Sequence, residues 1–273
     1  MLNTSFLSST SWAVSGEQTS ANTLNGALSP TVSVIYKPTP VVTTYATYSQ
    51  DVEQGDEAPT GTTNANEILA PYHDYEYEIG VKYAVKPSLL LTLDGFRMTR
   101  PYAGTDASNT FQVLGEQRNY GIEAYMQGNV NPAVSVLGGV TYIDAQLMDT
   151  GVAATNDKLV VGVPHFKTDV AVDYHPAFLD GLAATGAVHY EGARAAANTN
   201  NSYAPAYTTL DLGLRYSTMV WKHYVTARLQ VMNVTDTFYY VSVADGNIVG
   251  SNGANTAYLG TPRTLMASLE FDS

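Results

Sequence analysis

Five histidines, His73, His165, His175, His189 and His223, are the residues of this chain best suited by type to catalysis or metal ligation. No two stand at metal-ligand spacing, and there is no cysteine to complete a ligand set. A serine–histidine–aspartate site, or an aspartate–histidine pair, would have to converge from separate strands, since no local motif such as G-x-S-x-G occurs. The sequence therefore predicts no catalytic residue, no metal site and no cofactor. Its other reactive side chains fall into two sets. Glu76, Glu78, Lys82, Glu123, Asp211, Arg215 and Arg228, with Lys167 and Asp169, recur at alternate positions between apolar neighbours, which is the chemistry of a wet surface. Tyr72, Tyr102, Tyr203 and Tyr258 lie in polar, irregular stretches, where a ring can stack on a planar ligand.

The elements that position these residues are strands. From Tyr207 to Tyr240 the chain alternates, with Leu210, Leu212, Leu214 and Tyr216 on one face and Thr209, Asp211, Gly213 and Arg215 on the other. After a turn around Met219 to His223 the alternation resumes, Val225, Ala227, Leu229 and Val231 standing opposite Thr226, Arg228 and Gln230. The two runs form an antiparallel hairpin. A soluble sandwich turns such an apolar face to a core, and an outer-membrane barrel turns it to lipid. One hairpin does not separate these two cases.

Composition narrows them. Charged residues make up only 14%, below the roughly 25% usual in soluble domains. Tyrosine is over-used at 20 residues, which suits aromatic girdles at two membrane interfaces. A formal net charge of -12 argues against a nucleic-acid partner. No apolar run approaches the roughly 18 residues of a transmembrane helix. The first residues, MLNTSFLSSTSWAVSG, lack the basic and apolar regions of a signal peptide, so the chain is expected to be a fragment of an exported protein.

Taken in order, residues 1–29 read as a polar loop, rich in Ser, Thr and Asn. Strands and connections follow to the C-terminus, about eleven strands in all by alternation. The clearest places Tyr75, Tyr77, Ile79, Val81, Tyr83 and Val85 opposite Asp74, Glu76, Glu78, Gly80, Lys82 and Ala84. In the next strand the alternation breaks near Gly95, where a bulge is expected. Short turns near residues 38, 87, 131, 178 and 221 alternate with long polar loops at 51–71, 101–115, 149–163, 192–206 and 241–255. Short periplasmic turns alternating with long extracellular loops is the outer-membrane pattern, and a sandwich has no reason to sort its loops so.

Several segments carry a resemblance. SPTVSVIYKPTP with YATYSQ, YEYEIGVKY, GEQRNYGIEAY, GGVTYIDAQL, NVTDTFYY and the closing GTPRTLMASLEF follow in the order of the barrel strands of TonB-dependent outer-membrane siderophore receptors. Asp272 and Ser273 depart from that pattern, in which the last aromatic is usually terminal. The resemblance implies an all-β fold, an antiparallel transmembrane β-barrel portion forming residues 30–273. That portion is the C-terminal half of a 22-stranded barrel whose plug domain and N-terminal strands are missing. With eleven strands both sheet edges run the same way, so two copies would need parallel seams, and a lone sheet would leave its edges unsatisfied in hydrocarbon.

The implied function is TonB-dependent uptake of ferric siderophores across the bacterial outer membrane, without enzyme activity. The implied partners are a ferric siderophore, outer-membrane lipid, the missing plug and barrel half, and the TonB complex reached through them. On that model Glu76, Glu78, Lys82, Glu123, Asp211, Arg215 and Arg228 face the plug, and Tyr72, Tyr102, Tyr203 and Tyr258 are ligand-contact candidates. The bland alternatives are charges that simply solvate the lumen and tyrosines that pack loops. Rival readings are the same architecture for cobalamin, haem or a glycan, a small self-contained barrel acting as hydrolase or adhesin, and a soluble β-sandwich.

Overall fold

The computed structural model describes residues 2–12, 18–244 and 256–272. In chain order the strands are β1 (Leu2–Trp12), β2 (Gln18–Thr39), β3 (Val42–Glu53), β4 (Tyr72–Lys86), β5 (Leu89–Thr105), β6 (Phe111–Asn131) and β7 (Val134–Met148). The short β8 (Lys158–Leu159) precedes β9 (Phe166–Tyr174) and β10 (Leu182–Glu191). After β11 (Arg194–Ala195) and β12 (Tyr203–Ala204) come β13 (Tyr207–Val220), β14 (His223–Met232), β15 (Tyr240–Ala244), β16 (Thr256–Leu259) and β17 (Thr264–Asp272).

Twelve of these form one antiparallel meander in the order β1-β2-β3-β4-β5-β6-β7-β9-β10-β13-β14-β17. The expectation of about eleven strands is thus one short, and the polar loop at 1–29 is corrected. Ser/Thr-rich β1 pairs with β2, which already begins at Gln18. Neither segment has the alternation that reveals a half-buried strand, but Thr suits extended backbone and the inter-strand ladder needs no apolar face. The parity argument falls with the count. Twelve strands put β1 and β17, the two edges, in opposite directions.

The bulge expected at Gly95 is also absent. The ladders run in register through Gly95, opposite Ile79 on β4 and Ile122 on β6. Alternation breaks there because Phe96 points to the polar face and Arg97 to the apolar one, each the reverse of its type. Elsewhere the turn chemistry is local: Trp221 and Lys222, with φ of 47° and 71°, make the two-residue turn whose twist matches its flanking strands.

One face of the sheet is apolar and uncovered. Val34 and Ile79 expose 68% and 69% of their surface, and Ile122, Leu214, Leu269 and many others are exposed with them. No soluble fold leaves a patch of that extent to water. The buried apolar cluster lies instead among the loops, where Ala58, Tyr72, Ala103 and Phe111 pack together with Leu69 beside them. Tyr48, Tyr77 and Tyr120 mark one rim of the apolar band and Tyr36, Tyr83, Tyr174 and Tyr216 the other. Tyr83 stands six residues on from Tyr77 along β4, about 20 Å of strand, comparable to the ≈ 25 Å band of an outer-membrane wall.

Candidate functional site

The polar face is built by register. Thr47 opposes Glu78 and Tyr45 opposes Gly80, while Asp94 opposes Glu123 and Thr141 opposes Lys167. Further along, Asp169 opposes His189, and Arg215 opposes Arg228. Because opposed residues share a face, Glu76, Glu78, Lys82, Glu123, Asp211, Arg215 and Arg228 line one continuous wall.

Each of them already has company there. The Tyr45 hydroxyl donates to Glu78, and Lys82 stands 5.3 Å from the centre of the Tyr45 ring. Ser49 donates to Glu76 at 3.4 Å and Thr141 to Glu123 at 2.9 Å. Arg215 pairs with Asp173 at 3.0 Å, and Arg228 pairs with Glu270. Asp211 accepts the Asn233 backbone N–H at 2.8 Å. The acidic groups gather on β3 to β6 and the arginine pairs on β9 to β17, so the wall is polarised along its circumference.

Near the long-loop end of this wall a cavity of about 250 Å³ is lined by Lys167, Asp169, His189, Glu191, Tyr207 and Asn233 among others. His189 sits between two carboxylates, its Nδ1 2.6 Å from Asp169 Oδ1 and its Nε2 3.7 Å from Asp211 Oδ2. Asp169 is half exposed, so the arrangement stands open to water on the wall.

Above the wall two loop clusters are held by hydrogen bonds. In the first, the Tyr72 hydroxyl donates to Asp56 Oδ2 at 3.1 Å, and Arg100 lies 5.8 Å from the ring centre. Burial keeps the phenol protonated by pushing its pKa up. Asn64 exchanges two 2.9 Å hydrogen bonds with the Phe111 backbone and Asn109 donates to the Gly61 carbonyl at 2.7 Å, which knits loop 54–71 to the β5–β6 tip. In the second cluster Arg194, 1% exposed, donates to Glu191 at 3.1 Å, to the Val241 carbonyl at 3.2 Å and to the Tyr240 carbonyl. Tyr207 donates to Glu191 at 2.6 Å and stacks on Tyr239 at 4.3 Å.

These clusters sort the tyrosines. Tyr72 is 2% exposed, so its ring packs a loop and presents no stacking face in this structure. Tyr102 is half-buried on β5, opposite Gly115. Tyr203 and Tyr258, 52% and 63% exposed, stand on the separate ribbons β11–β12 and β15–β16. The structure does not gather the four into one site. Arg194, Asn64 and the meeting of His189 with Asp169 and Asp211 were missed, because Val241, Phe111 and those two carboxylates are far away in sequence. Asn233 had a signal in NVTDTFYY.

A meander with lipid-type aromatics outside, charges inside, short turns at one end and knitted loops at the other is the wall of an outer-membrane β-barrel. The family model for the TonB dependent receptor-like β-barrel matches residues 3–234, and the chain belongs to that family of bacterial outer-membrane receptors. It is 31% identical over 265 residues to the ferrichrome receptor FcuA of Yersinia enterocolitica, covering 94% of this chain and 34% of that one. The metal-pseudopaline receptor CntO of Pseudomonas aeruginosa is 29% identical over 229 residues, covering 82% of this chain and 31% of CntO. The chain thus spans about a third of these relatives. Among solved structures, the ferric preacinetobactin receptor BauA of Acinetobacter baumannii superposes with a TM-score of 0.78 at 30% identity, covering 93% of this chain and 37% of BauA. The ferric citrate transporter FecA shares the fold at 20% identity, with a TM-score of 0.74 over 98% of this chain.

Proposed function

We propose that these residues form the C-terminal part of a 22-stranded TonB-dependent receptor that imports ferric siderophores, with a plug and further strands supplied by a preceding part of the same protein. The observation that carries this reading is the inverted wall: an exposed apolar face backed by a face whose charged and polar residues recur from β3 to β17, beside knitted loops. Relatives named for ferrichrome and preacinetobactin supply the substrate class. On this reading the chain does no covalent chemistry. Energy reaches it from the TonB complex through the plug, Glu76, Glu78, Lys82, Glu123, Asp211, Arg215 and Arg228 face that plug, and Tyr203 and Tyr258 are the ligand-contact tyrosines with the freest faces.

The test is radiolabelled iron uptake by iron-starved cells carrying or lacking the gene, with intact-mass analysis of the native outer-membrane protein. Loss of uptake of one ferric siderophore on deletion, with a native product several hundred residues longer than this chain and bearing a plug, is expected. Unchanged uptake of every siderophore tried would overturn the substrate class. A native product with no added strands would overturn the barrel-half reading. A second substrate class, a metal–pseudopaline complex, is favoured by the likeness to the metal-pseudopaline receptor CntO, and uptake of metal supplied with pseudopaline in the same cells separates the two.

A further inference from the structure

The outward face of β3 to β7 carries a feature that transport does not use. At the rim nearest the long loops, Tyr48, Tyr77, Arg97, Tyr120 and Asp144 oppose one another in a single row across five strands. Arg97 takes the place of an aromatic in a girdle. One row nearer the membrane middle are Ala46, Ile79, Gly95, Ile122 and Tyr142, so the sheet is hollowed where Ala46 and Gly95 have little or no side chain. The result is an apolar groove of about 790 Å³, walled by Val34, Tyr77, Ile79 and Ile122 and headed by Arg97.

Two cations converge at its head. The Arg97 and Arg118 guanidiniums lie 5.9 and 5.3 Å from the centre of the same Tyr120 ring. Among the described residues neither makes an ion pair or donates a hydrogen bond to the protein, and the Nε of each is buried without an acceptor. Asp144 instead accepts from Gln146 at 3.3 Å. An arginine on the lipid face is costly at the bilayer midplane and nearly free at the interface. Two side by side, short of acceptors, in a protein of net charge -12, call for an anion in the head-group layer. A phosphate offers the acceptor geometry that a guanidinium fork matches.

We propose that this groove binds a phosphate-bearing lipid of the outer leaflet, one acyl chain lying over Gly95 between Ile79 and Ile122 and the phosphate held by Arg97 and Arg118. The inference rests on the outer-membrane placement of the chain and not on which substrate it imports. The experiment uses the full native receptor, purified in mild detergent and exchanged into nanodiscs containing lipid A. Bound lipid is counted by native mass spectrometry, and insertion is checked by heat-modifiable mobility. About one tightly held lipid A per barrel is expected. Retention should fall at least tenfold with the same lipid stripped of its phosphates, with R97Q/R118Q and with G95L, which fills the groove, while excess inorganic phosphate should not displace the lipid. Equal retention of phosphorylated and dephosphorylated lipid on the wild-type barrel would overturn the proposal whatever the variants do. Displacement by inorganic phosphate would assign the arginines to a free anion. A barrel that fails to insert would instead count against the membrane placement.

Discussion

Gly121 stands directly opposite Phe96 across the β5–β6 ladder, and a β-carbon at Gly121 would lie 2.2 Å from the Phe96 ring. The far end of the ring covers the glycine on the lumen face, and Tyr45 covers Gly80 in the same way, 2.6 Å from where a β-carbon would sit. Gly121→Val should therefore force Phe96 off its seat and destabilise the wall by about 1–3 kcal/mol, the usual cost of overpacking. Gly95→Ala is the control, since its β-carbon would meet only the Gly121 carbonyl oxygen, at 3.6 Å. The expected outcome is a lower temperature of heat modification on gels for the first variant and no change for the second.

These pairs also show what could be read from residues alone. The periods of β4, β13 and β14 are strict because every outward residue meets lipid, so faces and turns were legible, but the long loop expected at 101–115 is corrected: β5 runs to Thr105 and β6 starts at Phe111, leaving a five-residue tip. β1 was not legible, since a Ser/Thr-rich strand has no contrast between its faces. Near Gly95 the pattern failed for a cause that only neighbours reveal: Phe96 points inward because Gly121 makes room for it. The loop clusters were hidden for a similar reason. Asn64 and Phe111, or Arg194 and Val241, are 47 residues apart, and nothing local in either segment announces the partner.

Asn233 is the joint between β14 and the last long loop. It is 2% exposed and left-handed, with φ of 49°. Its Nδ2 donates to the Thr237 and Thr261 carbonyls at 2.9 and 3.0 Å, while its Oδ1 accepts the Thr237 N–H at 2.9 Å. Asn233→Ala would leave those groups unsatisfied, at about 1–3 kcal/mol each, and add a left-handed penalty of about 1–2 kcal/mol. Asn233→Gly lacks the second cost, so it should be the milder variant. Hydrogen exchange should show lost protection at Thr237 in both, with alanine the faster.

Arg194 holds its ribbon to the β15 strand from a fully buried position. Arg194→Met leaves the Tyr240 and Val241 carbonyls and the Glu191 carboxylate without their cation, and breaking a buried pair of this kind costs about 3–5 kcal/mol. Lysine keeps the charge but not the fork that reaches three acceptors. Limited proteolysis should cut Arg194→Met first within residues 192–206, with Arg194→Lys intermediate and the wall itself resistant.

Asp74 lies above the Tyr48–Tyr77 rim, beside the first loop cluster. Burial, and then the neighbouring Glu53 carboxylate, push its pKa up to about 6 against the opposing pull of Arg100, and its Oδ1 is buried without a hydrogen bond. A carboxyl raised in the folded state binds its proton more tightly there than in the unfolded chain. Its contribution to stability is therefore fully present below the ordinary aspartate value near 3.9 and is lost as the pH rises through about 6. Acidification from pH 7.5 to 4.5 should accordingly raise the hydrogen-exchange protection factors, corrected for the intrinsic pH dependence of amide exchange, in loop 54–71 and the start of β4. Asp74→Asn, which cannot ionise, should show the higher protection factors already at pH 7.5 and lose their change between about pH 4 and 6. An unchanged pH slope in that variant would overturn the assignment to Asp74.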